Sequence, residues 1–279
     1  MPRPLPWTTA LWFGILLLLC YAPVLVRLVQ QWSTDEDMGH GFLVPVVAGY
    51  IAWRKREQLR GLAPAPNWWG MVVIVYAAVQ LYVATLGAEL FLARTAFVIS
   101  LGGVVLFLGG IPYLRLFLFP WLLLFFMVPI PAIVYNQITF PLQLLASRLA
   151  EAALGVLGVP VLREGNVLEL ASQRLSVVEA CSGIRSLLSL SFLSLVYAWF
   201  FDQKVWMRFV LLIGTVPIAI VANASRVTIT GLLSEYKPEL AEGFFHTASG
   251  WVIFMVALAI LVAFHQLVNW VYRLFHAQQ

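Results

Sequence analysis

The sequence predicts an all-α polytopic integral membrane protein, and three observations predict it. Of the 279 residues, 62% are hydrophobic and only 11% are charged, whereas a soluble domain is nearer half apolar and a quarter charged. Too few charges remain to cover a water-facing surface. Apolar runs of roughly 20 residues, the length that crosses a bilayer, recur along the whole chain. These runs are continuous and do not alternate with period two, so helices, which satisfy their backbone internally, are favoured over a barrel.

About eight transmembrane helices are expected, near 8–28, 40–54, 68–87, 92–111, 114–130, 182–201, 205–232 and 246–272. The first run carries Cys20 and is followed by many others, so it reads as a retained helix and not a cleaved signal. The second is short and contains Pro45, which predicts a kink or tilt. Residues 131–180 break the pattern. Their first part, 136–157, sets Leu142, Leu145, Leu149 and Leu154 against Gln143, Ser147, Arg148 and Glu151, as an amphipathic helix in the interface would. Val159–Glu179 then alternates and turns at Glu164-Gly165-Asn166, which predicts a small β-hairpin. The whole chain, 1–279, is expected to be one membrane-embedded domain, with 131–180 an extracytoplasmic insertion in it.

Orientation follows from the distribution of basic residues. With the N-terminus inside, nine basic residues fall on the inner side: Arg3, Arg54, Lys55, Arg56, Arg60, Arg115, Lys204, Arg208 and Arg273. Only two acids, Glu57 and Asp202, join them; the outer half holds eight basic residues and eleven acids. Both termini are therefore expected in the cytoplasm, and residues 131–180 outside. The net charge of +4 is scattered apart from Arg54-Lys55-Arg56 and Arg60, an anchor for a membrane surface and no argument for nucleic acid. Cys20 and Cys181 lie far apart, and nothing pairs them.

In so apolar a chain the few polar residues near membrane depth are the candidates for function. Three segments stand out: Val178–Ser186 entering the sixth span, Pro217–Arg226 near the outer end of the seventh, and Phe244–Gly250 where the eighth begins. The expected topology puts Cys181, Arg226 and His246 at the outer ends of consecutive helices. Each alone has a bland reading: a small packing residue, a snorkelling arginine, a helix cap. Together they make chemical sense. A thiolate forms more readily beside His⁺, Arg⁺ or a helix N-terminus. His246 can take the thiol proton and return it to a leaving amine. Arg226 stays protonated and suits the oxyanion of an acyl intermediate, or the substrate's own carbonyl or carboxylate. Asn223 shares a face with Arg226 at i, i+3, and can orient it or simply pack. Gly250 implies a close helix contact and Ser249 is a rival nucleophile. Asp35, Glu36, Asp37 and His40 have no metal-ligand spacing, and a solvated loop is the expected reading. No phosphate-cradling glycine loop, HExxH or GxSxG pattern is present.

At these residues the chain resembles the exosortase/archaeosortase family. The resemblance is carried by Glu179-Ala180-Cys181-Ser182-Gly183-Ile184-Arg185-Ser186, by Asn223-Ala224-Ser225-Arg226, by His246, and by Gly39-His40-Gly41-Phe42-Leu43-Val44-Pro45 near the second span. It implies a sortase-analogous cysteine protease/transpeptidase on a membrane fold, with Cys181 as nucleophile, His246 as general acid/base and Arg226 stabilising substrate or oxyanion. Glu179, Ser182, Arg185, Asn223 and His40 would support them. The implied substrates are exported proteins with a C-terminal motif (Pro-Glu-Pro in the commonest bacterial system), a transmembrane helix and a basic tail. The acyl group would pass to an amine, to a lipid or glycan acceptor, or to water. No cofactor and no metal is expected. The implied location is the bacterial cytoplasmic (inner) membrane, with the site on the extracytoplasmic face. The alternatives are a transferase or assembly protein of surface polysaccharide biosynthesis, and a transporter or scaffold without chemistry. A transporter would show repeats and polar groups at mid-membrane, and neither is visible.

Overall fold

The computed structural model describes residues 7–171, 173–177, 184–202, 204–236 and 244–276. It is a helical membrane protein with one small sheet. Among the described residues, five elements are long and apolar enough to cross a membrane: Thr8–Thr34, Trp69–Leu86, Leu90–Met127, Val205–Glu235 and Gly250–Phe275. Ser186–Phe201 is a shorter apolar helix. The chain divides into two compact units, Met1–Pro131 and Ala132–Gln279. The boundary falls where the expected insertion begins.

In the first unit, α1 (Trp7–Thr34) leads through a 3-10 turn (Glu36–Phe42) into α2 (Leu43–Arg54), α3 (Arg56–Arg60), α4 (Trp69–Leu86) and α5 (Leu90–Leu123). The 12 residues of α2 rise about 18 Å, short of the roughly 30 Å hydrocarbon layer. Pro45 sits in its first turn, where no amide is needed, so no kink arises there. The element Leu90–Leu123 is a helical hairpin, not a rod. At Gly110 the backbone takes φ 74° and ψ −167°, outside helical space and accessible to glycine. The Trp121 indole N–H donates to the Val98 carbonyl at 2.7 Å, although 23 residues of straight helix would separate them by about 35 Å. The arms 90–109 and 111–123 therefore lie antiparallel, matching the separate spans expected at 92–111 and 114–130. Small residues let neighbours approach: a Cβ at Gly70 of α4 would stand 2.2 Å from the Phe107 amide. The Lys55 ammonium donates to the Leu116 carbonyl at 2.6 Å, and the Ala65 amide to the Gly109 carbonyl at 3.1 Å. The basic cluster thus sits at the Gly110 end of this unit. At the start of α2, Gly41 leaves room for the Trp32 ring, whose indole donates to the Met127 carbonyl at 2.9 Å.

The second unit begins with α6 (Ala132–Val156) and a three-stranded antiparallel sheet: β1 (Val161–Glu164), β2 (Val167–Leu170) and β3 (Arg174–Ser176). Val161 pairs Leu170 and Glu164 pairs Val167, so the turn falls at Gly165-Asn166, with Gly165 at φ 65°. The predicted hairpin is there, extended by a third strand pairing Val167 with Ser176. The buried face of α6 is the one that carries Gln143 and Ser147, together with Leu154, while Arg148 stays exposed. Thr139, Gln143, Ala146, Ser147, Ala150 and Leu154 are buried, while Leu145 and Leu149 are exposed. The physical reason is packing. Small side chains admit neighbours closely, and the polar ones find partners: Ser147 Oγ donates to the Gly165 carbonyl (3.0 Å) and Asn166 Nδ2 to Gln143 Oε1 (3.2 Å). Leu154, Leu168, Leu170, Leu175 and Val177 then close a core onto Val227.

Three helices complete this unit: α7 (Ile184–Phe201), α8 (Val205–Tyr236) and α9 (Phe244–His276). They are joined by a core of Leu190, Ala198, Met207, Leu211, Ala219, Ala257 and Leu261. The eight expected segments overlap helical stretches among the described residues, of which five elements are long and apolar enough to cross a membrane.

Candidate functional site

All three motif segments reach the same small pocket. Ser186 of α7, Asn223 and Arg226 of α8, and Gly250 of α9 line it, backed by Leu190, Ala219, Ala222, Ile253, Phe254 and Ala257. The helical repeat explains the set. Ala219, Ala222, Asn223 and Arg226 recur at i, i+3, i+4 and i+7, and Gly250, Ile253, Phe254 and Ala257 repeat that spacing on α9, so each helix presents one continuous stripe. Alanine and glycine in both stripes hold the helices close enough for the polar groups to share a cavity about the size of one water molecule.

Arg226 is half-buried and Asn223 buried. The guanidinium of Arg226 lies against the backbone of α9: a Cβ built on Gly250 would stand 3.0 Å from its Cζ, 3.1 Å from Nη2 and 3.4 Å from Nε. Gly250 is four residues after His246, hence on the same helix face. Arg226 therefore rests one turn from the His246 position. The described parts of α7 and α9 begin at Ile184 and Phe244, so both helices point their N-terminal ends toward this pocket. The result is a locus that favours an anion, which is what a thiolate, a tetrahedral acyl intermediate or a carboxylate would need.

The predicted site residues divide as follows. Arg226 and Asn223 come together, and Gly250 joins them. Arg185 and His246 occupy the first turns of α7 and α9, and their side chains lie outside the description. Glu179, Cys181 and Ser182 lie outside the described residues; Cys181 is five positions before Ser186 in sequence. His40 belongs to the first unit, in the Glu36–Phe42 turn. Burial pulls its pKa down, against hydrogen bonds to the Phe126 and Asp37 backbone and the Asp37 charge. Among the described residues no cluster of His, Cys, Asp and Glu could hold a metal ion. Among the described residues none of the sheet lines the pocket; the sheet packs on α8 at Val227, next to Arg226.

A second polar constellation, at the opposite end of the same three helices, was not read from the sequence. The Tyr197 hydroxyl meets His265 Nδ1 at 3.0 Å, and His265 Nε2 meets Asp202 Oδ2 at 3.1 Å. Asn269 Nδ2 donates to the same oxygen at 3.1 Å, while Lys204 Nζ donates to Asn269 Oδ1 at 3.1 Å and lies over the Tyr272 ring. Burial raises the pKa of Asp202, but the Lys204 amide, His265, Asn269 and the Lys204 charge outweigh it and hold the carboxyl below its ordinary 3.8. His265 Nε2 is placed to donate to the Asp202 carboxylate, and in that tautomer Nδ1 accepts from the Tyr197 hydroxyl. Asp202 and His265 are 63 positions apart, so only a lone histidine inside the last apolar run signalled this arrangement in advance.

Comparison with known proteins gives one informative result. A family model described as transmembrane exosortase matches residues 32–263. No curated protein and no solved structure matches the chain.

Proposed function

The chain belongs to the transmembrane exosortase family, and from that premise we propose that it is a membrane-embedded cysteine protease/transpeptidase. It cleaves C-terminal sorting tails of exported proteins and passes the freed acyl group to an acceptor or to water. The observation that carries this reading is the shared pocket of Ser186, Asn223, Arg226 and Gly250, because each of the three segments proposed to hold Cys181, Arg226 and His246 contributes to it.

In the proposed reaction His246 takes the Cys181 proton and the thiolate attacks the scissile carbonyl. Arg226 holds the oxyanion with its planar fork of donors. The intermediate collapses, the C–N bond breaks, and the amine leaves with the proton from His246, leaving a thioester. An incoming amine, hydroxyl or water attacks that thioester and gives its proton to His246. The Cys181 thiolate is expelled and takes the proton back.

The proposed topology has eight crossings in a bacterial inner membrane, both termini cytoplasmic and the pocket and sheet outside. Its support within the second unit is that Lys204 and Arg208 at the start of α8, and Arg273 near the end of α9, lie at the end opposite Arg226. The test is coexpression with an exported protein bearing a Pro-Glu-Pro motif, a transmembrane helix and a basic tail. Wild type should produce a shortened product, and Cys181→Ala, made in equal amount in the membrane, should leave the substrate at full length. Continued processing by Cys181→Ala would remove the cysteine mechanism and make Ser249 the next residue to test.

A further inference from the structure

The glycines of this protein separate by what stands where a side chain would be. At Gly70 a Cβ would strike the backbone of Phe107 at 2.2 Å, and at Gly214 it would strike the Phe264 ring at 2.6 Å in the core of α7, α8 and α9. Both are positions where added bulk forces helices or core rings apart. Gly250 is different. Its three nearest neighbours are the Cζ, Nη2 and Nε of Arg226, at 3.0, 3.1 and 3.4 Å. What a side chain there would displace is the end of a long flexible arm, not a helix.

We propose that Gly250 is a positioning residue: its missing side chain seats the Arg226 guanidinium flat on α9, one turn from His246. This rests on the reading of Arg226 as the group that holds the developing oxyanion. A methyl at position 250 pushes the guanidinium off by a few tenths of an ångström, because the arm yields more readily than the helices. The fold loses little. Alignment is what suffers, since a donor misplaced by about 1 Å costs roughly 100-fold in rate. A bare glycine is otherwise a poor choice near the start of a long helix, where alanine would be favoured by about 1 kcal/mol. A seat for Arg226 gives the position its reason.

The assignment makes a graded and coupled forecast, read as the rate at which the tail-bearing substrate is shortened per molecule of enzyme in the membrane. Gly250→Ala should slow processing about 10-fold and Gly250→Val about 100-fold or more, with membrane abundance and thermal stability close to wild type. Gly214→Ala should lower stability and leave the rate per folded molecule unchanged. The discriminating variant is the double one. Lysine presents a slimmer head group than the guanidinium, so Gly250→Ala should add little to the loss that Arg226→Lys causes alone, whereas independent effects would multiply. If Cys181→Ala stops processing but Gly250→Ala and Gly250→Val run at the wild-type rate, this assignment fails and the proposed function stands. Multiplicative losses in the double variant would also overturn it. If Cys181→Ala processes normally, the functional reading itself fails, and the seat goes with it.

Discussion

The helices α7, α8 and α9 carry polar groups at both ends, and the two ends are built on opposite principles. At one end Tyr197, His265, Asp202, Asn269 and Lys204 bond to one another in an unbroken chain, with Asp202 and His265 both buried. At the other, Ser186, Asn223, Arg226 and Gly250 surround a cavity. A buried polar group is costly unless partnered, so the first end is a clasp whose members answer to each other. The second holds its arginine against a bare glycine and leaves a space beside it. Among the described residues, one end is thus a closed set of side-chain bonds, while the other borders a small cavity beside the segments that carry the motif residues.

The sharpest way to break this comparison is to remove groups at each end and ask which property falls. Cys181→Ala, and Arg226→Ala on the pocket itself, should drop processing below detection by gel shift in protein that reaches the membrane in normal amount. His265→Ala should do the reverse. It strands the buried Asp202 and Tyr197, which costs about 1–3 kcal/mol, visible as a lower unfolding temperature with the rate per folded molecule within about two-fold. A dead but stable His265→Ala protein would mean the clasp takes part in the reaction.

Acid offers a gentler probe. Because its pKa is lower in the folded state than the ordinary 3.8, ionised Asp202 contributes stability that is fully present above that value and is lost as pH falls through the folded-state pKa. The stability difference between wild type and Asp202→Asn should therefore be constant down to about pH 5 and shrink on further acidification. An unchanging gap down to pH 2.5 would show that the charge on Asp202 is not what holds the clasp. The smallest effect is expected from Lys204→Met, which gives up the Asn269 bond and the contact with Tyr272 for about 1 kcal/mol. Heat-denaturation curves of the two proteins side by side would resolve it.

Much of the fold was legible because a single rule, unbroken apolar length, governs most of it. The predicted segments overlap helical stretches, and the gap expected at 112–113 falls two residues after the observed break at Gly110. The α6 pattern sets Leu145 and Leu149 apart from Gln143 and Ser147, as the interfacial reading requires, but a polar stripe need not face water. Gln143 and Ser147 instead found Asn166 and Gly165, and no periodicity reveals which partner a polar face will meet. At the site, Arg226 was legible as an arginine near a helix end, whereas Gly250 reads in sequence only as a close helix contact and in the structure meets the Arg226 side chain. The clasp was not, since Asp202 and Lys204 read as ordinary inner charges and His265 has no neighbour in sequence to announce it.

The hairpin at Gly110 acts as a ruler. An α-helix turns about 100° and rises 1.5 Å with each residue, so one residue inserted anywhere between Val98 and Trp121 would swing the second arm's indole away from the carbonyl it bonds at 2.7 Å. It would also carry Trp121 off the bare face of Gly102 that receives its ring. Substitutions along these arms can be absorbed one side chain at a time, but insertions and deletions cannot. Within this stretch the molecule is bound to a residue count as firmly as to a composition.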